Sequence, residues 1–209
     1  SMQEGQFKPL GQKLTYLDGL NMQEVVPLVE RVEMSASRTI RIRFGRNAVE
    51  LAASGVTADA LENINNQDLQ PINWSEGDPL SAQDFIDEGR FFTPEEVLTG
   101  APVCVLGYQT ALDLFAGDNP VGETIWVERT RCLVIGVLVE MESTNVQNLY
   151  QSDPNQALML PISTMIQTLY DEEPSVYMTV HVREADRIDE AKGQISTYLR
   201  ERHQVQKDE

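Results

Sequence analysis

Two histidines, two cysteines and two dense acidic clusters are the residues of this 209-residue chain best equipped for chemistry. Acid–base or nucleophilic catalysis needs a base held beside a nucleophile. His181 is the one histidine inside an element-forming pattern, Tyr177-Met178-Thr179-Val180-His181-Val182, which alternates as a strand. It shares a face with Tyr177 and Thr179, opposite Met178, Val180 and Val182, and so reads as solvent-facing. Cys104 and Cys132 lie among apolar residues. Outside the cytoplasm an even count permits one disulfide, worth about 2–4 kcal/mol. Their core-type neighbours favour two buried small hydrophobes instead. Together with His181 and His203 they make no close ligand pair for a metal. Asp84-Asp87-Glu88 and Asp171-Glu172-Glu173 lack the alternating oxygens and central glycine of a calcium loop, and read as solvated helix or loop ends.

Other reactive signatures are missing from the sequence. There is no Gly-x-x-x-x-Gly-Lys-Ser/Thr phosphate cradle, no Gly-x-Ser-x-Gly elbow and no His-Glu-x-x-His helix. The reading is a non-enzymatic chain with no cofactor and no metal. Acidic residues outnumber basic ones 33 to 16, for a net charge of −17. Phosphate backbones and anionic lipid surfaces would repel it, which argues against nucleic-acid partners. The longest apolar run, Cys132–Val139, is far short of the roughly 20 residues of a membrane span. Ser1–Pro9 is polar and has no leader pattern.

The elements that would position any site follow from periodicity. Leu14–Val26 reads as a first helix begun by Asp18 or Asn21, with Asn21 and Glu24 as a capping box and Leu20 with Val25 as its staple. Pro27 ends it. Thr39–Phe44 and Ala48–Ala53 alternate as a hairpin across Gly45-Arg46-Asn47. Ile40, Ile42 and Phe44 face Val49, Leu51 and Ala53, while Arg41, Arg43 and Glu50 point to water. Residues 54–88 read as loops with short helical pieces. Val103–Leu106 is a buried strand between Pro102 and Gly107. Tyr108, Ala111, Leu112 and Phe115 recur along one helical face, and Gly117 sits where a left-handed cap is wanted. Thr124–Val127 and Cys132–Val139 form a hairpin across Glu128–Arg131. Met141–Gln156 is a long polar loop at a distal tip. Leu158–Ile162 is a strand, Ser163–Tyr170 a short helix and Val176–Val182 a strand. A last helix is capped by Asp186 and striped by Ile188, Ala191, Ile195 and Leu199. Its end, Arg200 to His203, fits a chain about to re-enter a membrane, and equally fits basic residues complementing a helix dipole.

Five tags occur in order between Gly89 and Thr164: Gly89-Arg90-Phe91-Phe92-Thr93, Val105-Leu106-Gly107 with Leu114-Phe115-Ala116-Gly117, Asn119-Pro120-Val121-Gly122, Val134-Ile135-Gly136-Val137-Leu138, and Leu160-Pro161-Ile162-Ser163-Thr164. In this order they resemble the extracytoplasmic domain of MacB-like permeases, the ABC transporter class that includes FtsX-type and lipoprotein-releasing permeases. Gly89, Arg90, Phe91, Gly107, Leu114, Phe115, Pro120, Gly122, Gly136 and Pro161 carry the likeness as structural, not reactive, residues.

The resemblance implies an α+β fold of two subdomains. A membrane-proximal, split βα (porter-like) lobe would take residues 1–92 and 175–209. A smaller mixed α/β (sabre-like) lobe, residues 93–174, would be inserted into it. It further implies an extracytoplasmic loop between two transmembrane helices, with those helices, an ATPase domain or subunit, a second permease copy and an adaptor as partners. Trp74, Leu149 and Tyr150, apolar residues in loops, could be partner contacts or could seal loops onto the body. Two rivals stay open: a stand-alone binding module for a small molecule or peptide, which needs an apolar pocket, and a hydrolase with a buried carboxylate pair.

Overall fold

Thr15, not Asp18 or Asn21, opens the first helix, α1 (Tyr16–Val25). Its side chain accepts from the Asp18 amide, and the Asp18 carboxylate accepts from the Thr15 amide, which closes a capping box nearly two turns before the expected one. Val25 is left exposed, so no staple forms there. The structure is a computed structural model describing residues 13–67, 69–74, 80–143 and 153–205. After α1 come β1 (Val29–Phe44), β2 (Asn47–Val56), β3 (Leu69–Pro71) and β4 (Ile86–Gly89). Next are α2 (Pro94–Thr99), β5 (Val103–Leu106), α3 (Tyr108–Phe115), β6 (Thr124–Val127) and β7 (Thr130–Leu138). The chain continues with β8 (Met141–Ser143), β9 (Ala157–Pro161), α4 (Ile162–Leu169), β10 (Tyr177–Val182) and α5 (Ile188–Val205). Short 3-10 turns occupy Ala60–Gln67, Ala82–Phe85 and Ala185–Arg187.

These α+β elements form two compact units, residues 1–36 with 172–209, and residues 37–171. In the first, β10 runs antiparallel to the start of β1, pairing Met34 with Met178. Ala191, Ile195 and Leu199 of α5 are buried as the stripe requires. Asp186 lies inside the 3-10 turn that precedes α5 and does not cap it; Glu184 holds the N-cap position of that turn, where its side chain makes no capping bond and accepts from Arg187 instead.

In the second unit, strand pairings close a ring. The second half of β1 pairs with β2, β2 runs parallel to β9, and β9 is antiparallel to β5. β5 lies parallel to β7, β7 pairs with β6, and β6 returns to β1 through Ile42–Val127 and Arg43–Trp126. A closed ring leaves no free edge among its members. Ile42, Leu51, Leu160, Leu106, Val134 and Ile125, one from each strand, are buried in one core with Leu114 and Phe115 of α3 and Met165 of α4. On α3 the buried stripe is Ala111, Leu114 and Phe115, whereas Leu112 is exposed; the helix is rotated by about one residue from the expected face. The left-handed C-cap falls on Ala116, with Gly117 also at positive φ. The β6–β7 turn is Glu128-Arg129, tighter than expected, so β7 starts at Thr130.

Candidate functional site

Within the first unit the start of α1 and the end of α5 are tied together through one carboxylate. Asp18, at the third position of α1, is 1% exposed. One oxygen accepts from the Thr15 amide at 2.9 Å, and the other accepts from Nε of Arg202 in the last turn of α5. His203 Nε2 lies 3.4 Å from Asp18 Oδ2, and the Tyr198 hydroxyl donates to the Asp18 carbonyl at 3.0 Å. Burial raises the Tyr198 phenol above its ordinary range. Just below, Val176 N–H donates to the Leu14 carbonyl at 2.9 Å. Residues 14–18 therefore share one bonded cluster with Val176 and residues 198–203. An ion pair inside a protein holds one geometry because either charge alone is costly to bury. Chemically the cluster can do little: its single buried carboxylate is paired and capped. Mechanically, it locks the start of α1 to the end of α5. The sequence signal was Thr15-x-x-Asp18, a capping box that also explains why an acid sits there.

The motif residues build a second rigid feature, at the β4–α2 corner of the other unit. Gly89 (φ +75°) ends β4 against Gly136 of β7. A Cβ on Gly89 would overlap the Ile135 carbonyl oxygen, and one on Gly136 would overlap the Arg90 carbonyl oxygen. Two backbones can approach this closely only because neither carries a side chain. Arg90 then grips Glu96 with two bonds of 2.8 Å, and its Nη1 also donates to the Phe91 carbonyl at 3.0 Å. The Arg90 guanidinium is the main reason the Glu96 carboxyl is pushed down to about 2, with help from the Thr93 amide and hydroxyl. Thr93 caps α2, Pro94 starts it, and Phe91 stacks on Phe92 at 4.0 Å. The Gly89–Gly100 interval thus holds a strand end and a helix.

The other motif residues serve the same scaffold. Gly107 leaves room for the Asn155 carbonyl, which accepts from Gln109 N–H at 3.0 Å and Thr110 N–H at 3.2 Å and so caps α3. The Asn155 side chain bonds Met141 N–H and carbonyl at 2.9 and 2.8 Å. Asn155 falls in a stretch read as plain loop, and no local pattern singles it out. Leu114 is buried, and Phe115 stacks on Phe44 at 4.2 Å. Pro120 is buried in the turn before β6, Gly122 N–H donates to the Val134 carbonyl at 2.8 Å, and Pro161 ends β9 and begins α4.

The remaining candidates disperse. Cys104 and Cys132 are both buried free thiols, and burial raises the Cys104 thiol well above its ordinary range. His181 is not solvent-facing: its side chain is 9% exposed, with Nε2 3.6 Å from Glu33 Oε2, because β10 lies along β1 and the neighbouring strand supplies the carboxylate. Asp84 caps a 3-10 turn through Ser81, and Asp87, Glu88, Asp171, Glu172 and Glu173 are exposed. Among the described residues no group of His, Cys, Asp and Glu could hold a metal, and Asp18 is the only buried acid. Trp74 is half-buried, while Leu149 and Tyr150 lie outside the described residues. No helix among the described residues is long and apolar enough to cross a membrane.

A family model of MacB-like periplasmic core domains matches residues 2–198. The chain belongs to the MacB-like periplasmic core domain family. It is thereby an extracytoplasmic domain of a MacB-like ABC transporter permease. The pyoverdine export ATP-binding/permease protein PvdT of Pseudomonas aeruginosa is 25% identical over 211 residues, covering 97% of this chain and 30% of that protein. The macrolide export ATP-binding/permease protein MacB of Bdellovibrio bacteriovorus is 30% identical over 117 residues, covering 56% of this chain and 17% of the relative. The chain thus spans less than a third of the length of these curated relatives. Among solved structures, the extracellular domain of the noncanonic ABC-type transporter YknZ from Gram-positive bacteria superposes with a TM-score of 0.65 at 19% identity, covering 91% of this chain and 84% of that one. The periplasmic region of MacB from Actinobacillus actinomycetemcomitans gives 0.65 at 17% identity, covering 93% and 76%. The relatives are transporter permeases, and these structural likenesses show that the fold of the MacB-like domain is shared.

Proposed function

We propose that this MacB-like domain is a non-catalytic lever, carrying ATP-driven movement of membrane helices outward for export or for lipoprotein or peptide extrusion. The observation that carries the reading is the Asp18 cluster, which fixes the start of α1 to the end of α5. In the whole transporter both segments continue into membrane helices, and a displacement of those helices reaches the domain through two joined points. A packed core moves as a body instead of absorbing the motion. The porter-like lobe (residues 1–92 and 175–209), the sabre-like lobe (residues 93–174), the second permease copy, the ATPase and an adaptor all belong to this proposal.

The test is made in the full-length transporter, reconstituted with its ATPase. Asp18→Asn should leave basal ATP hydrolysis within about twofold and lower transport per ATP at least several-fold, because the lever is loosened at its base. Transport per ATP unchanged in that variant would contradict the reading.

A further inference from the structure

Residues 37–171 contain seven arginines and no lysine, and all but Arg90 lie on β1, in the turn after it, or on the β6–β7 hairpin. Strand pairing sets two of them in a row with a tryptophan between. Arg43 of β1 stands opposite Trp126 of β6, and Trp126 stands opposite Arg131 of β7. Their sequence neighbours Ile42, Val127 and Cys132 are buried, so alternation puts this trio on the outer face of the ring. Both guanidinium carbons lie over the indole, Arg43 Cζ at 5.7 Å and Arg131 Cζ at 4.8 Å from its centroid. Both arginines are exposed, and among the described residues neither is in an ion pair. The acid of the same hairpin is already committed: the Glu128 carboxylate accepts from the Arg41 amide at 2.7 Å, and the Glu128 amide donates to the Arg41 carbonyl at 2.9 Å.

We propose that this arginine–tryptophan ladder docks an acidic segment of a partner protein. Two unneutralised cations held by an aromatic platform are unusual on a chain of net charge −17. The overall charge decides what can reach them. An extended anionic surface, such as a lipid leaflet, brings its charge up against the whole acidic body and is repelled. A short segment stays within about 8–10 Å of the patch, the range over which salt leaves the local attraction in force. The two arginines are two strand spacings apart, roughly 10 Å. That distance matches carboxylates three residues apart on a polyproline-II segment, whose three-residue turn returns them to one face about 9 Å apart, with an apolar residue between them beside Trp126. Each guanidinium offers a planar fork suited to one carboxylate.

The experiment uses the 209-residue chain carrying Trp74→Phe, which leaves Trp126 as its one tryptophan. A short peptide of repeating Glu-Ser-Leu-Glu is titrated at low salt while Trp126 fluorescence is followed. Saturable binding is expected, weakened about tenfold or more by Arg43→Gln with Arg131→Gln and by added salt, and unchanged by Arg200→Gln. Arg131→Gln alone should give an intermediate loss, with far-ultraviolet circular dichroism unaltered in each variant. Absence of saturable binding, or binding undiminished in the double variant, would overturn the proposal. So would a Trp126 response to phosphatidylglycerol vesicles where the peptide gives none.

Discussion

Replacing Asp18 by Asn removes one charge from a buried pair and leaves everything around it nearly isosteric. Asp18 is 1% exposed and the Arg202 side chain 27% exposed. Breaking a fully buried pair by deleting one partner costs roughly 3–5 kcal/mol. Arg202 keeps partial access to water, which lowers the cost to about 2–3 kcal/mol. The Asn side chain retains an oxygen for the Thr15 amide, so the N-cap of α1 survives. Asp18→Ala also loses that cap and adds about 1 kcal/mol. Native-state hydrogen exchange is the suitable assay because it reads α1 and α5 individually. An opening free energy smaller by about 2–3 kcal/mol corresponds to amides of α1 and α5 exchanging roughly 30- to 150-fold faster. Arg202→Gln should have an effect of the same order, and the double variant should cost clearly less than the sum of the two. Exchange changed by less than about threefold in Asp18→Asn, or strict additivity in the double variant, would refute the idea that this pair locks the two helices.

Gly89→Ala forces a Cβ onto the Ile135 carbonyl oxygen at positive φ and should cost more than about 3 kcal/mol, whereas Gly45→Ala, at positive φ in open space, should cost about 1 kcal/mol; thermal melts of the two compare them directly. Glu96 titrates lower in the folded chain, at about 2, than when unfolded. Its contribution is therefore complete above the ordinary carboxylate range and is lost as pH falls from about 4.5 toward 2. Because Arg90 is 52% exposed, that contribution is reduced by solvent to about 1 kcal/mol. Glu96→Gln should flatten this part of the acid-unfolding profile, and an unchanged profile would count against the Arg90–Glu96 grip. Cys104 and Cys132 should resist alkylation in the native state and react fully in urea, as followed by mass spectrometry.

Local pattern made much of this fold legible. The β1–β2 hairpin, β5, α3, the β6–β7 hairpin, α4, β10 and the α5 stripe each carry their periodicity within a short window, and each forms within a few residues of where the pattern puts it. The start of β1 was missed because Glu30, Arg31 and Glu33 make Val29–Ala36 look polar, although Val32, Met34 and Ala36 alternate into the core. α2 was missed because six residues are too few for a period to show, and only Thr93-Pro94 with Glu96 announces a cap. Ring closure was out of reach for another reason. Placing β9 between β2 and β5, and returning β6 to β1, depends on pairings between residues far apart in sequence, which no local propensity encodes. The candidate sites divide the same way. Gly89 and Gly136 were visible as motif glycines, but their mutual approach was not. Arg202 and His203 were visible as a basic helix end, but the buried acid they meet lies near the other end of the chain. Arg43, Trp126 and Arg131 come together only through the β1–β6 pairing.

The central claim is mechanical, and the most direct measurement of it is a distance. Spin labels on an exposed position of the domain, such as Leu98 of α2, in the full-length transporter report by electron–electron double resonance the separation of the two copies that the proposal calls for. The account predicts distinct separations in the nucleotide-free and ATP-bound states, with the difference reduced by Asp18→Asn. A single separation, the same in both states, would contradict it.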